Sequence, residues 1–278
     1  MKIIEPKIEY WKQEDNIAHV AKCARVCYGK ETGNDAVTVT NLIMKKHLSM
    51  FRHETIYIAA PYKESVAKEL FRLNYCPYAN YFYNNKHIFI STNGQFIREC
   101  SFMNNFNDYI VDEDKFLSID QVAANLRRFT FKVTTQISTS RELNRVSPNN
   151  IAERSTRYVC ENGTICRPYW MTKEEAEQYN NDHLAALSTT TRNYVNTCSN
   201  SFGAYEDMIT FNNMHRQDAR GVLPLDTATE CIYTYTINEW RNIIDLRYYG
   251  TTGKPHPNAK IIAGLIREQL IELGYNFK

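Results

Sequence analysis

The stretch from Phe129 to Tyr158 constrains the fold most, because it joins a strand pattern to a segment that no sheet can bury. Residues 129–137 alternate between apolar and polar side chains, as a half-buried strand does. A short helix should follow as far as Arg145, and the proline and paired asparagines of residues 144–150 predict a loop. The next residues, Glu153–Tyr158, offer no apolar face. We therefore expect them at the surface, at the end of a strand–helix–loop unit, where ligand-binding residues are common.

The hexapeptide Glu153–Tyr158 carries side chains that suit a small anionic ligand. Arginine offers a planar fork of N–H donors that matches phosphate or carboxylate oxygens in pairs. Hydroxyl groups and backbone N–H groups can complete such a cradle. Taken alone, a hexapeptide of this kind is more often a solvated turn, so its interpretation depends on the rest of the chain.

Length and composition favour one globular domain spanning residues 1–278. A chain of 278 residues, 43% of them hydrophobic, can bury a substantial core and is not expected to be disordered. The sequence contains no internal repeat, low-complexity tract or Gly/Ser linker at which to divide it. The formal net charge of +2 gives no footprint for a polyanion, so we expect no nucleic-acid partner.

The sequence shows neither a targeting signal nor a membrane-spanning segment. Residues Met1–Pro6 lack the apolar core of a signal peptide, and no run approaches the roughly 20 apolar residues that span a bilayer. The eight cysteines are scattered without a C-x-x-C pair, and Cys23 and Cys27 have no neighbouring pair to complete a zinc site. We expect a reduced, cytoplasmic protein without a membrane partner or a metal.

Periodicity and start signals predict helices alternating with short strands. Helices are expected over Asp15–Tyr28, Ala36–Lys46, 118–128, 139–145, a region from 172, Asp182–Met208, Gln217–Val222, Trp240–Tyr248 and Ala259–Leu273. Strands are expected at Glu54–Ala60, His87–Gly94 and Phe129–Ile137, and capping boxes at Ser118–Gln121, Thr139–Glu142 and Thr172–Glu175. The acidic run Asp108–Lys115 is expected to be a solvated loop, and Thr234–Ile237 a short apolar stretch.

Three separated segments resemble the flavin-dependent thymidylate synthase family. Residues 47–53 resemble its HxSxxEH segment, and residues 145–158 have the length and ending of its signature, RHRxxSxNExSxRY. Residues 219–224, followed by 240–247, resemble its ARxxLP…W…LR tail, and His256-Pro257 follows as in one branch of the family. The segments keep the family's order and approximate spacing over most of the chain.

The sequence departs from the family's pattern at a few positions. Val146 and Ser147 replace the His-Arg of the signature, and Arg52 stands where the first segment usually has Glu. Asn150 and Ala152 replace the signature's first Ser and its Asn. In the family these positions mostly contact flavin, so the departures affect the cofactor pocket more than the nucleotide site.

The resemblance implies an α/β (α+β) fold, in which a central mixed or antiparallel sheet is flanked by long helices. It implies reductive methylation of dUMP to dTMP, with methylenetetrahydrofolate as carbon donor and FAD, reduced by NADPH, as hydride source. It also implies a homotetramer whose active sites are shared between subunits. The expected partners are therefore dUMP, the folate and further copies of the chain.

The resemblance assigns roles to individual residues. Arg247 is expected to stabilise the negative charge that develops on uracil during methylation. The dUMP site is expected to contain Glu142, Arg145, Glu153, Ser155, Arg157, Arg220 and Arg247. Within it, Arg157 and Arg220 are expected to hold the 5′-phosphate, and Glu142 to help fix the uracil or ribose. The FAD site is expected to contain His47, Ser49, Arg52, Arg145, Val146, Ser147 and Asn242.

Simpler structural roles remain open for the arginines. Arg247 would also suit the C-terminus of a helix, where a cation interacts with the helix dipole. Arg157 and Arg220 could instead form salt bridges with Glu153 or Asp218.

Alternatives also remain for other residues and for the reaction. Glu142 could act as a helix cap, His47 could be a core histidine, and a Cys160 thiolate could add to uracil. The changed flavin segment leaves two other functions open. One is a related modification of dUMP, such as hydroxymethylation; the other is a nucleotide-binding protein that has lost flavin.

Overall fold

The computed structural model describes residues 1–74 and 76–277. The strands are β1 (Lys2–Ile4), β2 (Lys7–Trp11), β3 (Thr55–Pro61), β4 (Asn80–Tyr83), β5 (His87–Asn93), β6 (Ile110–Val111), β7 (Arg128–Gln136), β8 (Ile151–Glu153), β9 (Thr164–Cys166) and β10 (Ala228–Thr236). The α-helices are α1 (Asn16–Cys27), α2 (Asp35–Met44), α3 (Glu64–Leu73), α4 (Gly94–Glu99), α5 (Glu113–Ile119), α6 (Ile137–Asn144), α7 (Lys173–Asn180), α8 (Thr189–Thr210), α9 (Arg216–Ala219), α10 (Ile237–Ile244) and α11 (Pro257–Glu272). Short 3-10 helices cover Leu48–His53, Ser101–Tyr109, Gln121–Leu126, Leu184–Ala186 and Arg220–Val222, and a π-helical turn covers Asp245–Tyr249.

A four-stranded antiparallel sheet, in the order β2–β7–β10–β8, lies at the centre of the fold. Phe129, Phe131 and Val133 alternate along β7 and enter an apolar core that α10 and α11 cover. The ring of Trp240 in α10 contacts Phe131 edge-on, and its indole N–H donates to the carbonyl oxygen of Phe129 at 3.2 Å. The strand predicted from the alternation is confirmed, and so is the α/β architecture of an antiparallel sheet flanked by helices.

The opposite face of the central sheet carries a chain of buried polar side chains. His19 of α1 contacts the hydroxyl of Thr130 at 3.2 Å, Thr130 contacts Thr234 at 2.8 Å, and Thr234 contacts His53 at 2.9 Å. Burial lowers the pKa of His53 to about 3 and that of His19 to about 4, because a low-dielectric interior disfavours the charged ring. This neutral chain ties α1 and the first 3-10 helix to the sheet.

A second antiparallel sheet, in the order β4–β5–β3–β6, packs beside the first. Strands β3 and β5 were predicted from the sequence, whereas β4 and β6 were not. The buried carboxylate of Glu54 accepts hydrogen bonds from Asn16 of α1 at 3.1 Å and from Arg98 of α4 at 2.6 Å. Gly94 begins α4 against this carboxylate, and a Cβ at Gly94 would overlap with it. Glu54 therefore joins the second sheet to α1.

Two of the three predicted capping boxes are wrong. Asp120, not Ser118, caps the 3-10 helix that follows, by accepting a backbone N–H with its side chain. Strand β7 leads directly into α6, which begins at Ile137. Thr139 therefore lies inside the helix, and its hydroxyl donates to the side chain of Gln136 at 2.8 Å.

Other predicted boundaries hold in part. The Thr172–Glu175 capping box is confirmed, and an unpredicted box, Thr236–Glu239, opens α10. The long helix α8 begins at Thr189 rather than at Asp182. The acidic run 108–115 is not a loop throughout, because it contains β6 and the start of α5. Helices α1, α2 and α11 lie where the periodicity predicted them.

Across residues 1–74 and 76–277, no helix is both long and apolar enough to cross a membrane. In the same residues, no group of three or more His, Cys, Asp or Glu side chains is placed to hold a metal ion.

Candidate functional site

The basic hexapeptide forms the last residue of β8 and a turn that follows it. The backbone N–H of Ser155 donates to the carbonyl oxygen of Cys27 at 3.0 Å, and the N–H of Arg157 donates to the Ser155 hydroxyl at 3.3 Å. Glu153, still in the strand, accepts a hydrogen bond from the Ser140 hydroxyl at 2.9 Å. The structure therefore has the predicted loop in all but the first residue of the hexapeptide.

The two arginines expected to bind phosphate lie together at this turn. Nη2 of Arg157 donates to the side-chain oxygen of Gln217 at 3.3 Å, and Nε of Arg220 donates to the carbonyl oxygen of the same residue at 3.1 Å. Nη1 of Arg220 also donates to the Thr156 hydroxyl at 3.0 Å. Both arginines are exposed. Gln217 therefore brings together two cations that are distant in the sequence.

No carboxylate in the described part of the chain neutralises either of these arginines. Within the described residues, Arg157 and Arg220 form no ion pair with Glu153 or Asp218, so the salt bridges considered as an alternative are wrong. An exposed guanidinium group keeps several N–H donors for a ligand after one or two bonds to the protein. The turn consequently presents uncompensated positive charge that suits a phosphate.

Arg247 contacts Glu142, the residue expected near uracil or ribose. Nε of Arg247 donates to the carbonyl oxygen of Glu142 at 2.8 Å, and Nη2 lies 3.6 Å from its carboxylate. The Arg247 side chain is 14% exposed. It belongs to the π-helical turn after α10, which ends at Gly250 with a φ of 73°. Arg247 is therefore held against α6 by a specific partner as well as lying near a helix end.

The loop of residues 144–150 packs against the first 3-10 helix through Arg52. Nη1 of Arg52 donates to the carbonyl oxygen of Asn149 at 2.9 Å, and its Nε donates to the side chain of Gln95 at 2.6 Å. An open groove of about 430 Å³ beside this loop is lined by Val146, Ser147, Pro148, Asn238, Glu239 and Asn242. Three of these residues were expected to contact flavin, and the fold places them on one surface.

The remaining residues expected at the cofactor are exposed. His47 and Ser49 lie at the start of the first 3-10 helix, so the interpretation of His47 as a core histidine is wrong. The core histidine of this segment is His53. Arg145 is exposed at the end of α6, and its side chain has no partner among the described residues.

Two thiols beside the arginine turn, those of Cys231 and Cys27, are poor nucleophiles. Cys231 lies opposite Glu153 in the sheet, and burial, with the Glu153 carboxylate, raises the pKa of its thiol well above the ordinary value. Burial also raises the pKa of Cys27 to about 11. Both thiols stay protonated near neutral pH, whereas the thiolate is the nucleophile. Cys160 is exposed, and all eight cysteines are free.

The sequence did not identify Arg216 and Gln217 as site residues. Arg216 Nη1 donates to the carbonyl oxygen of Tyr158, the last residue of the hexapeptide, at 2.9 Å. Arg216 precedes Arg220 by four residues, a spacing that places two side chains on one face of a helix, so this signal was available. Gln217 had no such signal, because its side-chain partner Arg157 is 60 residues away.

The chain belongs to the thymidylate synthase complementing protein family, whose sequence model matches residues 105–273, more than half of its length. This is the flavin-dependent thymidylate synthase family that the three motifs resemble. Membership supports an enzyme that modifies dUMP. A comparison with curated protein sequences gave no match.

Two similar solved structures are those of the UMP/dUMP methylase PolB from Streptomyces cacaoi. The complex with 5-Br dUMP has a TM-score of 0.46 and 16% identity, over 98% of this chain and 93% of the PolB chain. The complex with 5-Br UMP has a TM-score of 0.47 and 14% identity, over 98% of this chain and 92% of the PolB chain.

Proposed function

We propose that the protein is a flavin-dependent thymidylate synthase that methylates dUMP to dTMP. Methylenetetrahydrofolate is the carbon donor, and FAD reduced by NADPH is the hydride source. The observation that carries this proposal is the pair Arg157 and Arg220. Their guanidinium groups meet at one turn without a carboxylate partner in the described chain, and that chain belongs to the thymidylate synthase complementing family.

In the proposed site, the arginine turn binds the nucleotide's 5′-phosphate. Arg157 and Arg220 supply charge-assisted N–H donors, and the hydroxyls of Ser155 and Thr156 lie beside them. Glu153 contributes a carboxylate that accepts the Ser140 hydroxyl with Oε1, and its Oε2 is assigned to a hydroxyl or N–H group of the nucleotide. These contacts fix the position of the nucleotide before the reaction, which lowers the entropic cost of reaching the transition state.

Arg247 is the proposed catalytic residue. Methylation at C5 of uracil requires that carbon to be electron-rich, and a guanidinium group near the uracil oxygens stabilises the negative charge that develops. Partial burial strengthens this effect, because a lower local dielectric screens the charge less. The raised pKa values of Cys27 and Cys231 argue against a thiolate that adds to C6.

The groove beside residues 144–150 has hydrogen-bonding groups that fit a flavin. The amides of Asn238 and Asn242 and the hydroxyl of Ser147 can bond a flavin ring, and Arg145 offers a cation to a diphosphate. Bound FAD would supply the hydride, and the protein's part is to bind and orient it. His47, Ser49, Arg52 and Val146 complete the proposed cofactor surface.

We further propose a cytoplasmic homotetramer with active sites shared between chains. Among the described contacts, Arg247 bonds Glu142 of α6, whereas Arg157 and Arg220 share the partner Gln217. The cation assigned to uracil and those assigned to phosphate therefore have no common partner, and the groove at Ser147 is open to solvent. A neighbouring copy would be required to close the groove. Native mass spectrometry tests this directly, since a monomer as the active species would contradict it.

The test of function is a product analysis with purified protein. Incubation with dUMP, NADPH and methylenetetrahydrofolate should yield dTMP by mass, and the protein should absorb at about 450 nm as a flavoprotein. A hydroxymethylated product would instead support the related dUMP modification, for which the open groove at Val146 and Ser147 would admit water. A colourless protein that binds dUMP without turnover would support a nucleotide-binding protein.

A further inference from the structure

We propose that Arg216 is a third phosphate-binding residue and makes the site select nucleotides that carry a 5′-phosphate. This inference rests on the proposed function, because it concerns the same dUMP site. Arg216 lies outside the sequence motifs that suggested Arg157 and Arg220, and its role follows from its position beside them.

The position of Arg216 brings its guanidinium group to the arginine turn. It lies in α9, and its Nη1 donates to the carbonyl oxygen of Tyr158 at 2.9 Å. Arg216 and Arg157 line the same groove of about 480 Å³, together with His215, Gln217, Ile209 and Met214. One N–H group of Arg216 therefore holds the end of the hexapeptide, and the others are accessible from the groove.

Arg216 likewise lacks a carboxylate partner among the described residues. Arg216 is exposed, and in residues 1–74 and 76–277 it forms no ion pair, not even with the nearby Asp218. Glu161 pairs with Arg154 of the hexapeptide, but in the described part of the chain Arg157, Arg216 and Arg220 have no carboxylate partner. A phosphate has three terminal oxygens and close to two negative charges at neutral pH, and arginine forks can bond these oxygens in pairs. Two arginines leave some of the hydrogen-bonding capacity of these oxygens unused. Arg216 is placed to supply the further N–H donors.

Arg192 provides a matched control on the same protein. It is also an exposed arginine whose Nη2 donates to backbone carbonyls, those of Ala185 at 3.4 Å and Leu187 at 3.2 Å. It does not line the groove of Arg157 and Arg216. Replacing Arg192 removes the same kind of side chain and the same kind of contact without changing the proposed phosphate site.

The experiment compares the affinities of dUMP and deoxyuridine for the wild type and for Arg216→Ala, Arg216→Lys and Arg192→Ala. Calorimetry measures the affinity of dUMP, and a competition experiment measures the affinity of deoxyuridine. Arg216→Ala should weaken dUMP binding at least about tenfold and change deoxyuridine binding by less than about twofold. Arg216→Lys should weaken dUMP binding less than Arg216→Ala does, because lysine keeps the positive charge although it lacks the planar fork of donors. Arg192→Ala should match the wild type for both ligands.

Two results would overturn the assignment of Arg216. An equal loss for dUMP and deoxyuridine would show that the residue only maintains the fold of the turn, and no loss in Arg216→Ala would show that it does not bind phosphate. In either case dUMP binding by the wild type would leave the proposed function standing. A wild type that binds dUMP no better than deoxyuridine would instead contradict the proposed phosphate site as a whole.

Discussion

Arg247 and Glu142 are joined by two contacts of different kinds. Nε of Arg247 donates to the backbone carbonyl oxygen of Glu142 at 2.8 Å, whereas Nη2 lies 3.6 Å from the carboxylate. The shorter contact does not depend on which side chain stands at position 142. The backbone of α6 therefore fixes the arginine, and the carboxylate adds a weaker electrostatic contact. This arrangement holds a partly buried cation in one place on the protein surface.

Replacing Arg247 with alanine should abolish dUMP methylation while leaving flavin bound, because the guanidinium group acts on uracil in the proposed site. Turnover and flavin absorbance should be measured on the same preparation. Arg192→Ala is the control, since it removes an exposed arginine outside the proposed site and should retain the wild-type turnover. Full activity in Arg247→Ala would remove the assignment of the catalytic cation.

Cys160→Ala should leave turnover largely intact. Cys160 is the exposed thiol near the arginine turn, and its Sγ lies 4.0 Å from the carbonyl oxygen of Glu161, the next residue. Steady-state rates of the variant and the wild type should agree within about threefold, which is less than 1 kcal/mol in the barrier. An inactive but folded variant would revive the route through a thiolate.

Two glycine substitutions should have opposite effects on stability. A Cβ at Gly94 would overlap with the buried Glu54 carboxylate, so Gly94→Ala should lower the free energy of unfolding by roughly 1–3 kcal/mol. Gly203 lies inside α8, where an added Cβ meets nothing within 4 Å. Gly203→Ala should therefore raise the free energy of unfolding by roughly 0.5–1 kcal/mol. Urea unfolding of both variants gives the comparison. Similar values for the two would contradict the packing described around Glu54.

The buried histidines should make the fold sensitive to acid. The pKa of His53 is lowered from 6.5 to about 3 and that of His19 to about 4 by burial, so below pH 6.5 the unfolded chain binds protons that the folded chain does not. The stability that the neutral histidines contribute is complete above pH 6.5. It is lost as the pH falls toward their folded-state pKa values of about 3 and about 4. The loss is at most about 1.4 kcal/mol per pH unit for each histidine.

Urea unfolding at several pH values between about 7 and about 5 tests this effect. His53→Asn should show a shallower decline of stability with falling pH than the wild type, because one of the two proton-binding differences is removed. The exposed His47 supplies the control, and His47→Asn should keep the wild-type slope. Identical slopes for His53→Asn and the wild type would be inconsistent with a buried neutral ring.

Local patterns predicted those parts of the fold that depend on neighbouring residues. The alternation through Phe129, Phe131 and Val133 predicted β7, because every second side chain enters the same core. The capping box at Thr139 failed for a physical reason. Strand β7 runs into α6 without a loop, so the helix begins at Ile137 and the threonine hydroxyl has another partner.

The candidate site depends on contacts that no local pattern encodes. Arg247 and Glu142 are 105 residues apart, and Arg157 and Gln217 are 60 apart. The resemblance to a family supplied the residues to consider, but not their partners within this chain. For the same reason the sequence could not show that Arg157, Arg216 and Arg220 lack carboxylate partners among the described residues.

The measurement that tests the central claim most directly is a crystal structure of the protein with dUMP. We predict that the phosphate lies within hydrogen-bonding distance of Arg157 and Arg220, and that a guanidinium N–H of Arg247, from the same or a neighbouring chain, contacts a uracil oxygen. A nucleotide bound elsewhere, with these three arginines contacting only protein or solvent, would contradict the account.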